Sequence, residues 1–416
     1  MLKFHQKVST IMKIINAHYT YLNGKFHKEI AIAFSDKIEA IDNLQRLQAQ
    51  YPDAQLDQGG LNTVLLPGLI NTHVHLEFSA NKSTLRYGEF MPWLDSVIEH
   101  REDLISVCDN AMMMQACQSM LRSGITTFGA ISSFGAELEV CTQTPQKVIF
   151  FNELIGSNPA TADMLYRDFL ERVDASKAVA EYGITPAIAI HAPYSVHPIV
   201  VKKALEVAKN EHLPLSAHFL ESPAEREWLE KSQGDFLEFF QKFFSTSSAV
   251  TSIDEFLESF EGLPTHFVHA VQTQEKELKV IAKEGHSIAH CPRSNRLLGC
   301  GRLPLEKVME YKIPFTLATD GLSSNTSLNL FDEMRAALIM HYHLPLEELA
   351  NQLIESITTT PAKIFGLNSG EIRMGKSADL IRIQLPDKIQ KSQSIALQTI
   401  LHTQEVERVY INGEAY

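Results

Sequence analysis

The sequence has few cysteines and no segment apolar enough to anchor it in a membrane. Its 416 residues include five cysteines, an odd number, and no two of them form a Cys-x-x-Cys motif. Such a chain has no disulfide framework and is typical of a reducing compartment. No apolar run is long enough to span a bilayer, and the first ten residues contain neither a long apolar segment nor a small-residue cleavage site. We therefore expect a cytoplasmic protein.

Positive charge is also scarce. The formal net charge is −13 at pH 7, from 37 Lys and Arg residues against 50 Asp and Glu residues. This balance disfavours a nucleic-acid backbone as the main partner, although local groups can still bind a small anionic substrate. With 44% hydrophobic and 21% charged residues, the composition is that of an ordinary globular protein. The length predicts one large domain with a smaller companion.

Apolar strands alternate with amphipathic helical segments through the middle of the chain. This alternation implies parallel strands, and eight of them predict an α/β fold of the (β/α)8 barrel type. The long connection Ser222–Pro264 predicts additional helices outside the barrel wall. The eight candidate strands are Val64–Ile70, Ile125–Ile131, Lys147–Leu154, Thr185–Ile190, Pro214–Phe219, Thr265–His269, Ser287–His290 and Pro314–Thr319.

Both ends of the chain show short strand patterns instead. Asn23-Gly24 is a hairpin signal, and each end is too short to bury a core alone. We predict that residues 12–64 and 368–416 form one small β-sandwich beside a catalytic barrel at residues 65–367. The candidate elements are strands at Ile14–His18, Thr20–Leu22, Glu29–Phe34, Lys37–Ile41, Glu371–Ile381 and Val406–Asn412, and a short helix at Leu44–Gln50.

Histidines and an aspartate occur at the carboxyl ends of the predicted barrel strands, where barrel enzymes carry their chemistry. Each alone also fits a hydrogen-bonded or solvated side chain. Five strands that deliver such groups to one rim indicate a metal site, and the two histidines of a His-x-His pair in an extended segment face the same side. The residues are His73 and His75 after the first strand, His191 after the fourth, His218 in the fifth, His269 at the end of the sixth and Asp320 after the eighth.

Glu221 lies three residues beyond His218. Three histidines and one aspartate would leave a metal position open for water, as a catalytic site requires. A carboxyl group beside the metal that is not needed as a ligand can carry a proton between that water and a substrate nitrogen. The alternative for Glu221 is a surface glutamate at a helix N-terminus.

These motifs resemble those of the amidohydrolase superfamily, in the branch that holds cytosine, guanine and adenosine-type deaminases and chlorohydrolases. The resemblance covers the chain from Ile14 to its end. More narrowly, His290–Gly299 together with Asp320–Leu338 is similar to the aminodeoxyfutalosine deaminases of menaquinone biosynthesis, which are relatives of the methylthioadenosine and S-adenosylhomocysteine deaminases. The matching stretches are Pro67–His75, His191–Ser195, Ala217–Glu221, His290–Asn295 and Thr319–Asn325.

The resemblance implies a role for each of these groups. Glu221 would be the proton shuttle, and His269 would orient the attacking water without binding the metal. Superfamily members with two metals use a carboxylated lysine at the end of the fourth strand, and Ala187–His191 contains no lysine. One divalent ion per chain is therefore expected, and zinc and iron both suit nitrogen-rich ligation. The implied metal ligands are His73, His75, His218 and Asp320.

The resemblance also suggests substrate contacts. His191 would point into the substrate pocket, Trp93 would lie on a lid helix over the base, and Ser324 is a further candidate. Plain core packing is the alternative for Trp93. Either Glu99 or Glu102 would hold the ribose hydroxyls, and the spacing does not decide between them.

Aminodeoxyfutalosine, the nucleoside that the narrower resemblance implies, ends in a benzoate on its 5′ side. Three arginines could match that carboxylate, because a guanidinium pairs with two oxygens at once. Arg293 and Arg296 lie beside the seventh strand and Arg86 lies on the lid side. Each could equally be solvated or paired with an acidic residue.

We therefore expect a hydrolase that deaminates an adenine nucleoside, most narrowly 6-amino-6-deoxyfutalosine to futalosine and ammonia. A methylthioadenosine, S-adenosylhomocysteine or adenosine deaminase is the alternative, as is a guanine deaminase or an amide, urea or chlorotriazine hydrolase on the same barrel. A binding protein on an inactive barrel is disfavoured because every expected ligand is present. The expected partner is a small-molecule nucleoside, with no nucleic acid or membrane, and an oligomer is possible.

Overall fold

The structure is a computed structural model that describes residues 10–80, 83–156 and 161–416. The expectation drawn from the first ten residues therefore falls almost entirely outside the described part of the chain. Within the described part, no helix combines the length and the apolar character needed to cross a membrane.

Eight parallel strands form one sheet in which spatial neighbours follow the order of the chain. Beyond the eighth strand, the backbone N–H of Asp320 donates to the carbonyl of His73 at 3.1 Å, which links the end of the sheet back to its first strand. This architecture confirms the predicted (β/α)8 barrel. The strands are Leu69–Val74, Ile125–Ser132, Lys147–Leu154, Ile184–Ile190, Leu215–Phe219, His266–His269, Ser287–His290 and Phe315–Leu317.

The prediction of the first barrel strand was wrong in its bounds. The apolar run that predicted Val64–Ile70 contains two strands, Thr63–Pro67 in a terminal sheet and Leu69–Val74 in the barrel. The chain changes sheets at Gly68, where an added Cβ would lie 2.2 Å from the Thr126 hydroxyl. Both strands are buried throughout, so no change of hydrophobic pattern marks the junction.

Helices follow the barrel strands and pack against the sheet. The helix Pro198–Glu211 begins with proline at its first turn, where the missing N–H has no cost. It buries Val200, Val201, Ala204, Leu205 and Ala208, the spacing of one helical face. The barrel helices are Phe90–Glu99, Arg101–Val107, Asn110–Arg122, Leu138–Gln143, Ala162–Ala178, Pro198–Glu211, Pro223–Lys231, Asp235–Phe244, Ile253–Ser259, Glu275–Lys283, Pro292–Leu297, Leu305–Glu310, Leu330–Met340, Leu346–Ser356 and Thr359–Ile364.

Two further sheets contain the ends of the chain. One has four strands, and the other has six and combines strands from both ends. Apolar residues from the two sheets share one core cluster that includes Ile15, Phe34, Leu65, Leu380 and Tyr410. The four strands are Ile38–Asp42, Ala31–Phe34, Lys13–Asn16 and Gln55–Gln58, and the six are Glu414–Ala415, Arg408–Ile411, Leu380–Gln384, Thr63–Pro67, Tyr19–Leu22 and Lys25–Lys28.

The end segments differ from prediction where polar residues form strands. Asn23-Gly24 does form a hairpin turn, but Tyr19–Leu22 pairs with Lys25–Lys28, which the sequence reading missed because it is mostly exposed. Gln55–Gln58 was missed for the same reason. Beyond the barrel, the strand expected at Glu371–Ile381 begins only at Leu380 and continues to Gln384. The helices Leu44–Gln50 and Ile395–His402 accompany these sheets.

Candidate metal and active site

Three histidine side chains converge at the carboxyl end of the barrel. His73 lies inside the first barrel strand and His75 directly after it, while His218 lies in the fifth. The Nε2 atom of His73 is 3.1 Å from Nε2 of His75 and 3.2 Å from Nε2 of His218. Nitrogens bound to one tetrahedral zinc at about 2.1 Å lie about 3.4 Å apart, so this spacing fits ligands of a single ion.

Asp320 completes this group from the loop after the eighth strand. Its Oδ1 atom lies 3.6 Å from Nε2 of His73 and 3.5 Å from Nε2 of His75. Its Oδ2 atom accepts hydrogen bonds from the hydroxyls of Ser294 at 2.7 Å and Ser324 at 2.9 Å. These bonds fix the carboxylate and leave Oδ1 directed at the histidines.

The protonation states of this group suit a divalent cation. Burial lowers the pKa of His75 to about 3 and that of His218 well below its usual value, so both imidazoles are neutral. The Nδ1–H of His218 donates to the carbonyl of His191 at 2.7 Å, which leaves Nε2 free to ligate. Burial alone would raise the pKa of Asp320, but hydrogen bonding to His73 and the nearby His75 and His269 lower it well below normal. Neutral imidazoles and an ionised carboxylate are the forms that bind metal.

Glu221 and His269 stand beside this group. Nε2 of His269 lies 3.5 Å from Oε1 of Glu221 and 3.9 Å from Oδ2 of Asp320. Nδ1 of His269 is hydrogen-bonded to Oδ1 of Asn295 at 2.9 Å, which fixes the orientation of the ring. Burial raises the pKa of Glu221 well above its usual value, and the charges of Asp320 and Glu225 add to the effect. A carboxyl group that keeps its proton near neutral pH can act as a general acid.

The backbone is strained at both edges of this arrangement. His269 has φ 68° and Asp320 has φ 59°. Residues other than glycine rarely adopt this left-handed region, and where they do, the surrounding structure must hold them there. His269 ends the sixth barrel strand and Asp320 follows the eighth, so the unusual backbone turns their side chains toward the centre of the rim.

Glu225 supports Glu221, and the sequence reading missed it. Its carboxylate accepts the backbone N–H of Leu220 at 2.9 Å and that of Glu221 at 2.7 Å. Its own N–H donates to the hydroxyl of Ser222, the N-cap of Pro223–Lys231. The Ser-x-x-Glu spacing from Ser222 is the signal that could have identified it, because that pattern begins many helices.

Glu153 is a second buried carboxyl group that the sequence reading missed. It belongs to the third barrel strand and lines the same pocket. Its Oε2 atom accepts the Ser133 hydroxyl at 2.6 Å, and its Oε1 atom lies 3.8 Å from Nδ1 of His218. Burial raises its pKa to about 7. It lies within the predicted strand Lys147–Leu154, and nothing in the local sequence separates it from an ordinary strand residue.

The predicted pocket residues divide into two groups. His191, Trp93 and Ser324 line a cavity of about 220 Å³ together with Glu221 and His269. The indole N–H of Trp93 donates to the carbonyl of Ser323 at 2.9 Å, so the helix Phe90–Glu99 is tied to the loop after the eighth strand. Nδ1 of His191 is hydrogen-bonded to the Ser195 hydroxyl at 2.6 Å, and Nε2 is the ring nitrogen left for a ligand.

The other predicted contacts do not line this cavity. Arg86 and Glu99 are paired with each other at 3.1 Å on the surface, and Glu102 is also exposed. The Arg293 guanidinium is bonded to Glu333 at 2.7 Å, and Arg296 is exposed. The arginine that does line the cavity is Arg101, which the sequence reading passed over.

A larger cavity of about 630 Å³ lies at the opposite end of the barrel. Pro214, Pro264 and Pro314 line it, and each of these precedes a barrel strand. The smaller cavity is the candidate active site because the titratable groups converge there.

A barrel whose strand ends converge imidazoles and carboxylates on one pocket has the architecture of a metal-dependent hydrolase. The chain matches the model of the amidohydrolase family over residues 64–416, and it belongs to that family. This confirms the resemblance seen in the sequence motifs. Members of the family typically use a divalent metal, for which the described residues provide suitable clusters.

Individual relatives are similar over the full length. Aminodeoxyfutalosine deaminase of a Nitratiruptor species is 48% identical over 405 residues, which cover 97% of this chain and 99% of the relative. Adenosine deaminase of Helicobacter pylori is 36% identical over 412 residues, which cover 97% and 99%. The crystal structure of Helicobacter pylori aminofutalosine deaminase in complex with methylthio-coformycin matches with a TM-score of 0.92 and 34% identity, and covers 97% of this chain and 100% of that one.

Proposed function

We propose that this protein hydrolyses the amino group from an adenine nucleoside, and that its substrate is 6-amino-6-deoxyfutalosine, which yields futalosine and ammonia. The observation that carries the proposal is the convergence of Glu221, His269 and Asp320 beside three histidines in one pocket. The full-length similarity to an aminodeoxyfutalosine deaminase supports the choice of substrate.

We assign the metal site to the three histidines and Asp320. One divalent ion, zinc or iron, suits a set of three neutral nitrogens and one carboxylate oxygen. When bound, such an ion lowers the pKa of a water toward neutrality and so supplies a nucleophile. A single ion is favoured because the fourth strand ends Ala187-Ile188-Ala189-Ile190 and contains no lysine, whose carboxylated side chain could bridge to a second ion. The ligands in this assignment are His73, His75, His218 and Asp320.

Glu221 supplies and removes protons in this assignment. In its protonated form it donates to the purine ring nitrogen next to the amino-bearing carbon, which makes that carbon more electrophilic. The resulting carboxylate can then accept one proton from the attacking water and pass it to the amino group, which leaves as ammonia, and the second proton of that water returns to Glu221 as the product carbonyl forms. Burial favours the protonated starting form, and the hydrogen bonds from Leu220 and Glu221 to Glu225 hold the segment in place.

His269 and Asp320 orient the attacking water. His269 faces the gap between Glu221 and Asp320 through Nε2, while Asn295 holds its other nitrogen. Asp320 keeps Oδ2 engaged with Ser294 and Ser324. A water between these groups would be aligned on the substrate carbon before reaction, which saves the cost of ordering it in the transition state.

The base and sugar occupy the rest of the pocket. Trp93 and Phe90 present aromatic surface to the cavity, and His191 offers a ring nitrogen. Aromatic faces pack against a purine, and an imidazole can bond its ring nitrogens or the ribose. Glu99 and Glu102 do not face this cavity, so we assign neither to the ribose.

We place this reaction in menaquinone biosynthesis and in the cytoplasm. Menaquinone biosynthesis follows from the proposed substrate, because 6-amino-6-deoxyfutalosine is an intermediate of that pathway. The five cysteines are all buried and free, which agrees with a reducing compartment.

A general adenine-nucleoside deaminase is the second candidate. It is favoured by the similarity to a Helicobacter pylori protein named adenosine deaminase. This candidate uses the same metal, the same proton shuttle and the same base pocket. It differs only in how the enzyme recognises the 5′ substituent of the nucleoside.

The test is direct competition among 6-amino-6-deoxyfutalosine, methylthioadenosine and adenosine, with ammonia release as the readout. We expect 6-amino-6-deoxyfutalosine to be preferred by about tenfold for each 1.4 kcal/mol of 5′-side contact realised in the transition state. Equal kcat/KM values for all three would support the general deaminase instead. No ammonia from any of them would overturn both candidates.

A further inference from the structure

The mouth of the active-site cavity combines an apolar wall with a single cationic side chain. Ile98, Phe134 and Ile155 line the cavity and are each more than one-third exposed, so they mark its open end. Among the described residues that line the cavity, Arg101 is the only lysine or arginine. These four residues form the pocket mouth.

Arg101 is held in position by an aromatic ring. Its guanidinium carbon lies 4.8 Å from the centroid of the Phe134 ring. A guanidinium stacked on an aromatic face keeps its N–H groups free at the edge of its plane. Phe134 is itself fixed, because its backbone N–H donates to Glu77 at 3.0 Å.

No described carboxylate neutralises Arg101, although the chain is acidic. Arg86, which precedes the helix Phe90–Glu99, is paired with Glu99 at 3.1 Å. Arg293 is paired with Glu333 at 2.7 Å. Of these three arginines, Arg101 is therefore the one whose N–H groups remain available to bind an anion. It lies at the entrance to the active site.

We propose that the pocket mouth binds an aryl carboxylate on the 5′ side of the nucleoside, with Arg101 as the partner of the carboxylate. The apolar side chains of Ile98 and Ile155 offer surface for a ring, and the guanidinium offers two parallel N–H groups for the two carboxylate oxygens. This inference rests on the proposed function and deepens it, because it names the residue that distinguishes the substrate from simpler adenine nucleosides. It replaces Arg86, Arg293 and Arg296, the arginines predicted from the sequence.

The experiment compares an acid with its neutral counterpart. The substrates are 6-amino-6-deoxyfutalosine, its primary amide and methylthioadenosine, and the readout is kcat/KM for ammonia release. The wild-type enzyme should prefer the acid to the amide by about 10- to 100-fold, since the amide cannot form the ion pair. Arg101→Ala should remove that preference by lowering kcat/KM for the acid alone, and methylthioadenosine should change by less than about twofold.

Two further variants make the test specific. Arg101→Lys keeps the charge but not the paired N–H geometry, so part of the acid preference should remain. Arg86→Ala is the matched control, because Arg86 is a neighbouring exposed arginine outside the cavity, and it should leave the preference unchanged. The thermal midpoint of each variant verifies that it is folded.

The opposing outcomes are distinct. An Arg101→Ala enzyme that keeps the acid preference, or that loses equal activity on the acid and on methylthioadenosine, would overturn the assignment of Arg101. A wild-type enzyme that deaminates methylthioadenosine but treats acid and amide alike would overturn it too, while leaving the deaminase proposal intact. A wild-type enzyme inactive on all three nucleosides would overturn the proposed function and this inference together.

Discussion

Oε1 of Glu221 lies 3.5 Å from Nε2 of His269, and the two side chains reach this position from different strand ends of the barrel. The separation is longer than a good hydrogen bond, so both groups can contact a third group placed beside them. A water or a substrate nitrogen placed there would contact an acid on one side and an imidazole on the other. This pair is therefore where we place the attacking water, with its proton transfers through Glu221.

Replacement of Glu221 by glutamine should remove most of the turnover. The amide keeps the shape of the side chain but cannot relay protons, so kcat should fall by about 10²- to 10⁴-fold. Metal content should stay at the wild-type level. Ammonia release measured beside metal analysis checks both expectations, and Glu227→Gln, an exposed position on the following helix, is the control. Turnover within a few-fold of wild type would exclude Glu221 from the mechanism.

Metal binding should separate the proposed ligands from His269. Removal of an outer partner of a metal site costs about 10- to 100-fold in affinity, and removal of a ligand should cost more. We expect alanine at His73, His75 or His218, and asparagine at Asp320, to abolish stoichiometric binding. His269→Ala should keep the metal and lose activity, and His402→Ala is a surface control. An empty site in His269→Ala would contradict its assignment as a residue that only orients water.

The barrel and its rim followed from the sequence because both leave local signals. Alternating strands and helices predicted the fold, and residues such as His191 and His218 lie at strand ends that the pattern located. Most of what failed depends on contacts between distant segments. Glu153 acts through groups that only the folded barrel brings near, and Arg293 has a carboxylate partner 40 residues away. Glu225 was missed although its partners Leu220 and Glu221 are local, because its spacing from Ser222 was not used. The domain limits at residues 64/65 and 367/368 stay a prediction.

The hydrogen bond from Trp93 to Ser323 should contribute to substrate binding. Trp93→Phe keeps an aromatic ring over the pocket but removes the N–H that ties the helix to the loop. The net value of such a bond is about 1 kcal/mol, so kcat/KM should fall by about fivefold. The Tyr87 hydroxyl donates to the same carbonyl at 3.2 Å, and the double variant with Tyr87→Phe should lose more than either single change.

Steady-state kinetics on the preferred nucleoside checks this, and Tyr342→Phe, at an exposed position, is the control. If the double variant keeps the kcat/KM of the wild type, the two hydrogen bonds do not contribute to substrate binding.

The buried pair of acids Glu77 and Glu137 should make the protein less stable as pH rises. Burial and the charge of Glu77 raise the pKa of Glu137 well above its usual value. The folded protein thus holds a proton that the unfolded chain has released above about pH 4.5. Since the native state binds more protons, the free energy of unfolding should fall by about 1.4 kcal/mol per pH unit from this group, until pH passes the raised pKa.

Glu137→Gln removes that titration while its amide can still donate to the neighbouring Glu77 carboxylate. Urea unfolding between pH 5 and pH 8 should therefore show a flatter dependence for Glu137→Gln than for the wild type. Glu139→Gln, an exposed position on the same helix, should keep the wild-type slope. Parallel curves for the wild type and Glu137→Gln would mean that Glu137 is ionised in the folded protein, and that its pairing with Glu77 does not store a proton.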